Sequence, residues 1–377
     1  MEDKDKLIDA IKHTGFILEN DICNLLEKNK WNVISNRYYI DHENSVEREI
    51  DIIAYKVKII DDVSYYTALI ISCKKSTKDS WAFLTKDVNH NDPNMNLWPV
   101  FNSTNSKILN FMLDKNINIS EIVKKECETN LSVDFLHKTH GLDASVFAVQ
   151  QIEEQKNKYK ATNDCNIYNS IISTIKALNY EKESVIRKDQ NVFYNFNLIT
   201  VFDGKMLKYY FKHDDVSLNE IDEIKYLNRH IINKNEDFYR VQFIKATRFQ
   251  DYIKYYNSLH IWNCKKYASI LEDYYKRCIL LKGGLDLFEK EIISYLSWYV
   301  YWCSSKYYNS QDAETVKIEY LNYNNEKSAL KLSLNVCDEK LVNYLNENNE
   351  LKSKVSEVLK KYYKYSGEFY FEDGLPF

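Results

Sequence analysis

The alternation of apolar and polar positions divides the chain into helical and strand-like stretches. Residues 4–12 place Leu7, Ile8 and Ile11 on one helical face. Thr14 stands where an N-cap is expected, and residues 16–28 predict a helix whose buried stripe is Phe16, Ile22, Leu25 and Leu26. Residues 31–40 predict a first strand, 41–46 a polar turn, and 49–58 a second strand. Asp61 and Asp62 mark a turn, after which residues 65–74 return as an Ile-rich strand suited to burial on both faces. Residues 76–79 are expected to form a polar turn, with Trp81, Ala82, Phe83 and Leu84 packing over it.

Further along, residues 89–105 read as a loop, 106–128 as mostly helix and 144–150 as a short strand. Residues 151–180 predict a helix with a stripe at Ile167, Ile171, Ile172, Ile175 and Leu178. Residues 192–201 and 206–212 predict two strands joined at Asp203-Gly204, a hairpin-type turn signal. Residues 238–244 predict another strand. Helix is expected over 251–282, a break at Gly283-Gly284, then helix to about Tyr307. A small hairpin at 316–320 and 329–334, polar helix over 340–365 and a strand-like segment at 368–372 complete the chain. Arg248 to Lys276 interleaves cations with aromatics, a pattern that can bind nucleic-acid strands by stacking and phosphate contact, but in a chain this rich in Tyr it is expected of an amphipathic helix packing its aromatic face.

Composition narrows the classes. A chain of 377 residues can form one large domain or two ordinary ones. The net charge of −4 provides no global basic field, so any nucleic-acid site must be a local patch. The eight cysteines include no C-x-x-C pair and fit neither a zinc site nor a disulfide framework. With no signal peptide, they are expected to be free thiols in a cytoplasmic protein. No apolar run approaches the ~18 residues of a membrane helix, so no membrane partner is expected. Neither a phosphate-cradling P-loop nor a dinucleotide fingerprint is present, which argues against ATP or NAD, and there is no nucleophile-elbow pattern. His137 and His140 lack a nearby third ligand and read as a loop or surface feature.

The chemistry concentrates near the first strands. Side chains alternate faces along a strand, which puts Glu49 and Asp51 on one face and Ser72 and Lys74 on one face of the next. If the strands are neighbours, carboxylates and an ammonium meet at one edge of a sheet. Such a cluster suits a divalent metal and a water held for attack on a phosphate. Glu19 lies beside the apolar stripe of its helix, where it can reach inward. The plainer alternatives are a solvated helix Glu and an Asp51–Lys74 salt bridge at a strand edge.

These residues resemble the restriction-endonuclease-like superfamily, the PD-(D/E)xK nucleases. Four pieces carry the resemblance: Thr14-Gly15-Phe16-Ile17-Leu18-Glu19, Glu49-Ile50-Asp51, Ser72-Cys73-Lys74, and Leu198 to Gly204. The resemblance implies an α/β fold, a restriction-endonuclease-like mixed sheet flanked by helices, over residues 1–251, followed by a mostly helical region of unknown role over 252–377. It implies a metal-dependent nuclease acting on DNA rather than RNA, in defence against foreign DNA, as a homodimer or with a partner protein of a defence system. Mg²⁺ or Mn²⁺ would sit on Asp51, Glu19 and Glu49, Lys74 would orient the attacking water, and Lys75 and Lys78 would contact nucleic acid. Ser72 departs from the pattern, because the family's second carboxylate usually stands there. Either Glu19 replaces it, with Asp79 or Asp87 behind, or catalysis is lost and the domain only binds or assembles. A third alternative is an interaction protein whose C-terminal helices recruit a partner.

Overall fold

Two long strands with apolar runs carry the first unit of the fold. The computed structural model describes residues 8, 11, 14–41, 46–115, 118–130, 133–155, 158–213, 215–232, 235–281, 283–308 and 316–374. The helix expected over 4–12 therefore lies outside the described residues except at two positions. The chain divides into two compact units, Met1–Lys266 and Tyr267–Phe377. The sequence reading put this division earlier, at residue 251.

In the first unit, α1 (Gly15–Lys28) leads into β1 (Asn32–Asp41), β2 (Val46–Ile60) and β3 (Val63–Lys86), an antiparallel meander. Then come β4 (Phe101–Thr104), α2 (Lys107–Lys115), α3 (Ile119–Thr129), α4 (Asp134–His140), β5 (Ser145–Gln155) and β6 (Lys158–Thr162). The unit continues with α5 (Cys165–Ile186), β7 (Val192–Lys212), β8 (Asp215–Glu220), β9 (Glu223–Ile232) and β10 (Asn235–Lys245), and α6 (Phe249–Arg277) follows. The result is a mixed α/β fold: a ten-stranded sheet of path β1-β2-β3-β7-β10-β9, with β4, β5, β6 and β8 off that path. The β3–β7 and β7–β10 pairs are parallel and the others antiparallel.

Both faces of β3 are covered, as its continuous apolar run requires. Ala68 and Ile70 pack in a cluster with Ile167, Ile171, Ile175 and Leu178 of α5. Leu69 and Ile71 pack in a second cluster with Leu18, Ile22 and Leu26 of α1 and Phe249, Ile253 and Tyr256 of α6. The α1 stripe thus runs through Leu18, not Phe16, which is 70% exposed.

Several elements depart from what the sequence predicts. Residues 76–79 are not a turn. They lie inside β3 as a bulge, because β3 and β7 pair up to Lys75↔Asp203 and resume at Ser80↔Lys205. Continuing the strand lets Trp81 enter the core, where it stacks on Phe202 with ring centres 3.9 Å apart. Asp203-Gly204 is likewise not a hairpin turn but the single crossing of β7 opposite that bulge. Gly204 is required by close approach, since a Cβ there would meet the Phe202 ring and lie 2.9 Å from the Ser76 carbonyl oxygen. Residues 151–155 and 158–162 are strand rather than helix, because β5 takes up the far half of β3 and β6 pairs beyond it. His137 and His140 are on α4, not a loop, and His140 is buried with Nδ1 2.8 Å from the Thr139 hydroxyl. Burial, with Arg240 and Lys225 nearby, pushes its pKa well down. The stretch expected to be loop contains β4, and β8 and β9 had no counterpart in the sequence reading.

The second unit contains α7 (Glu289–Tyr308), the hairpin β11 (Ile318–Asn324) and β12 (Ala329–Leu334), α8 (Glu339–Glu347), α9 (Asn349–Tyr363) and β13 (Phe369–Glu372). β13 joins β12 in parallel. Asp338 and Asn348 cap α8 and α9 by accepting from the Leu341 and Leu351 amides, which satisfies one orphan N–H of each helix. Leu296, Val300, Leu330, Leu332, Leu345 and Val355 are fully buried in this unit. Among the described residues no helix is long and apolar enough to cross a membrane.

Candidate active site

β3 keeps β7 on one side along its length but changes partners on the other. β2 accompanies it as far as Ile52↔Ile71, and β5 begins at Asp79↔Glu153. Among the described residues, 72–78 therefore have no strand on that side. A strand in this position leaves backbone donors that must be satisfied some other way. The Asp51 carboxylate does this for Cys73, accepting its amide N–H at 2.6 Å. The same oxygen, Oδ2, also accepts from the Ser72 hydroxyl at 3.3 Å and the Lys74 ammonium at 3.4 Å. Oδ1 lies outside this set. Ser72 is buried, whereas the Asp51 and Lys74 side chains are partly exposed. The site is thus anchored inside the sheet and open at its edge.

A local reversal turns Asp51 toward this gap. Ile50 packs in the α5 cluster, but Ile52 packs in the α1 cluster, although simple alternation would give them one face. β1 shows the same switch: Val33 packs on the α1 cluster and Tyr39 in the α5 cluster. Between them Asn36, at the register position opposite Asp51, has φ 52°. Asn is one of the few residues that tolerates this left-handed conformation. The alternation that put Glu49 and Asp51 on one face is therefore interrupted. Glu49 is exposed, and its Oε1 accepts from the Asn36 amide at 2.7 Å.

Glu19 approaches from α1. Its carboxyl is held above the ordinary carboxylate range, first by burial and then by the Asp51 charge, with Glu49 adding and Lys74 opposing. The Cys73 thiol is pushed well above its usual value by burial, Asp51 and Glu19, so it is not a nucleophile at neutral pH. Among the described residues no cluster of three or more His, Cys, Asp or Glu side chains has the geometry to hold a metal. Among these carboxylates, Asp51 acts most strongly on Glu19.

The Glu19 environment makes a pH-dependent prediction. A carboxyl whose pKa is raised on folding contributes most at low pH, and that contribution is lost as pH rises through its folded value. Glu19→Gln is therefore expected to melt at a higher temperature than wild type at pH 7, with the difference shrinking toward pH 4. Melting curves of the two proteins across this range test it, and a lower Tm for the variant at pH 7 would reject it.

The remaining sequence candidates are dispersed. Lys75 pairs with Asp203 at 3.2 Å across the β3–β7 ladder, and Lys78 is exposed on the bulge. Asp79 accepts from Gln151 at 2.8 Å and from Ser76 at 3.3 Å, and Asp87 accepts from the Tyr210 hydroxyl at 2.7 Å. These bonds lead away from Asp51. Two participants escaped sequence reasoning, the Cys73 amide and Asn36. A backbone donor has no sequence signal, whereas an Asn inside a predicted strand was a legible hint of irregular backbone.

No protein-family model, curated protein or solved structure matches this chain.

Proposed function

We propose that the chain is a metal-dependent nuclease of restriction-endonuclease-like fold that hydrolyses phosphodiester bonds of DNA. The observation that carries this reading is the meeting of Asp51 and Lys74, 3.4 Å apart at a gap in the sheet, with Glu19 in their field. Defence against foreign DNA is the role that the resemblance adds.

Asp51 and Glu19 are the residues that would hold Mg²⁺ or Mn²⁺. Two carboxylates close enough for one to feel the other's charge, with Lys74 beside Asp51, suit a divalent cation, and Mg²⁺ binds through one or two carboxylates with waters completing its shell. Such an ion, when bound, neutralises phosphate charge and acidifies a coordinated water. Lys74 orients the nucleophilic water and offsets charge developing on the phosphate. Ser72, donating to Asp51 from a buried position, fixes the carboxylate's orientation and does not replace the missing charge. Glu19 supplies that charge from α1.

A second reading, a catalytically inactive binding or assembly module with a nuclease-like fold, is favoured by the neutral hydroxyl of Ser72. Incubating the full chain with plasmid, single-stranded DNA and RNA, in Mg²⁺, Mn²⁺ or EDTA, separates the two. Cutting that needs the metal and stops in EDTA is the expected result. Retained binding without cutting of any substrate would replace the nuclease by the binding module.

A further inference from the structure

In the second unit, α7 carries Tyr295, Trp298, Tyr299 and Trp302, followed by Lys306. This spacing sets them along one stripe of the helix, beside the buried row of Ile292, Leu296 and Val300. Trp298 is 60% exposed and Tyr295 41%. The indoles of Trp298 and Trp302 are nearly parallel, with centres 6.3 Å apart and planes at 10°. Exposed indole contributes little to a core, so packing within the unit does not account for Trp298.

Cations accompany these rings. The Lys306 ammonium lies 3.2 Å from the centre of Trp302, Lys354 lies 5.8 Å from Tyr299, and Lys361 lies 5.9 Å from Tyr295. Lys354 and Lys361 belong to α9, so this helix runs antiparallel to α7. It carries four lysines against two glutamates, one of which, Glu357, pairs with Lys354 at 2.9 Å. After Glu291, Lys306 is the only charged residue in the remainder of α7. In a chain with more acidic than basic residues, this stripe has a local excess of cations beside exposed and half-buried rings.

We propose that this face binds a single nucleic-acid strand, with bases stacking on Trp298 and Tyr295 and phosphates meeting Lys306, Lys354 and Lys361. Rings stack on any base, and lysines follow the backbone. A protein partner fits less well, because lysine is depleted at the centre of protein interfaces. A duplex also fits less well, since its base faces are already stacked on each other. The inference names single strands as the substrate class of the proposed nuclease, and in that respect rests on that reading, but its residues lie outside the Asp51 site.

The test is fluorescence anisotropy of the full chain in EDTA with labelled oligothymidylate, oligouridylate and a duplex of equal length. Single strands are expected to bind more tightly than the duplex, and Trp298→Ala to weaken that binding about tenfold, with Trp298→Phe restoring most of it. Lys354→Gln with Lys361→Gln is expected to flatten the dependence on salt. Circular dichroism confirms that each variant is folded. Binding of one oligomer over the other assigns DNA or RNA. No single-strand binding, tighter duplex binding or equal affinity for Trp298→Ala would overturn the inference. Trp298-dependent binding without cleavage of any substrate would leave it standing and remove the nuclease reading. Cleavage indifferent to Trp298 would do the reverse.

Discussion

Asp51→Asn and Lys74→Met are each expected to lower metal-dependent cleavage by about 10²–10⁴-fold, the range associated with losing a positioned charged group at a reacting centre. The two substitutions remove different charges from one 3.4 Å pair. Asn retains an oxygen that can accept from the Cys73 amide, so Asp51→Asn should melt close to wild type. Asp51→Ala removes that acceptor and leaves the buried amide at 2.6 Å without its partner. It should therefore lose about 1–3 kcal/mol of stability as well as activity. Cleavage rates and urea unfolding of the three variants distinguish a chemical role from a structural one. Full activity in Asp51→Asn would show that the carboxylate only caps the strand gap.

Trp81→Ala is expected to destabilise the first unit by about 3–5 kcal/mol, the usual cost of truncating a buried Trp. Trp81 is 2% exposed, stacks on Phe202 and meets Phe243 edge-on at 6.0 Å. The packing of this ring lets β3 resume its pairing after the bulge at 76–79. The variant should therefore also weaken the second half of the β3–β7 ladder, which amide exchange at Phe83 and Leu84 would report. A loss below about 1 kcal/mol in urea unfolding would place Trp81 outside the core, as a lid.

The sequence announced short-range order well and long-range pairing poorly. Period located α1, the early strands, α6, α7 and the C-terminal hairpin, because that signal depends on neighbours a few residues apart; Thr14 stands at the N-cap of α1, but its hydroxyl donates to the Ile11 carbonyl instead of capping the helix. At the bulge, Ser76, Thr77, Lys78 and Asp79 have turn chemistry, while the reason they stay in a strand lies at Phe202 and Gly204. Residues 151–155 have a helical pattern, and their strand state likewise comes from pairing with the far half of β3. At the site, the side chains of Asp51, Ser72, Lys74 and Glu19 could be read from the sequence. Their arrangement depends on Asn36 and on the departure of β2 from β3, which no short window of sequence contains.

The parallel pairing of β3 with β7 also governs how the chain is made. β3 ends at Lys86, but the strand that must lie beside it ends only at Lys212. At ~5–20 residues per second, ribosomes need roughly 6–25 s to cover that interval. Throughout it the nascent β1–β2–β3 meander presents an unpaired edge at Ala68, Leu69, Ile70 and Ile71, the most apolar stretch of the sheet. Such an edge is a template for pairing with other chains. Yield on overexpression should therefore depend on chaperone capacity and growth temperature, and fragments ending before β7 should enter inclusion bodies.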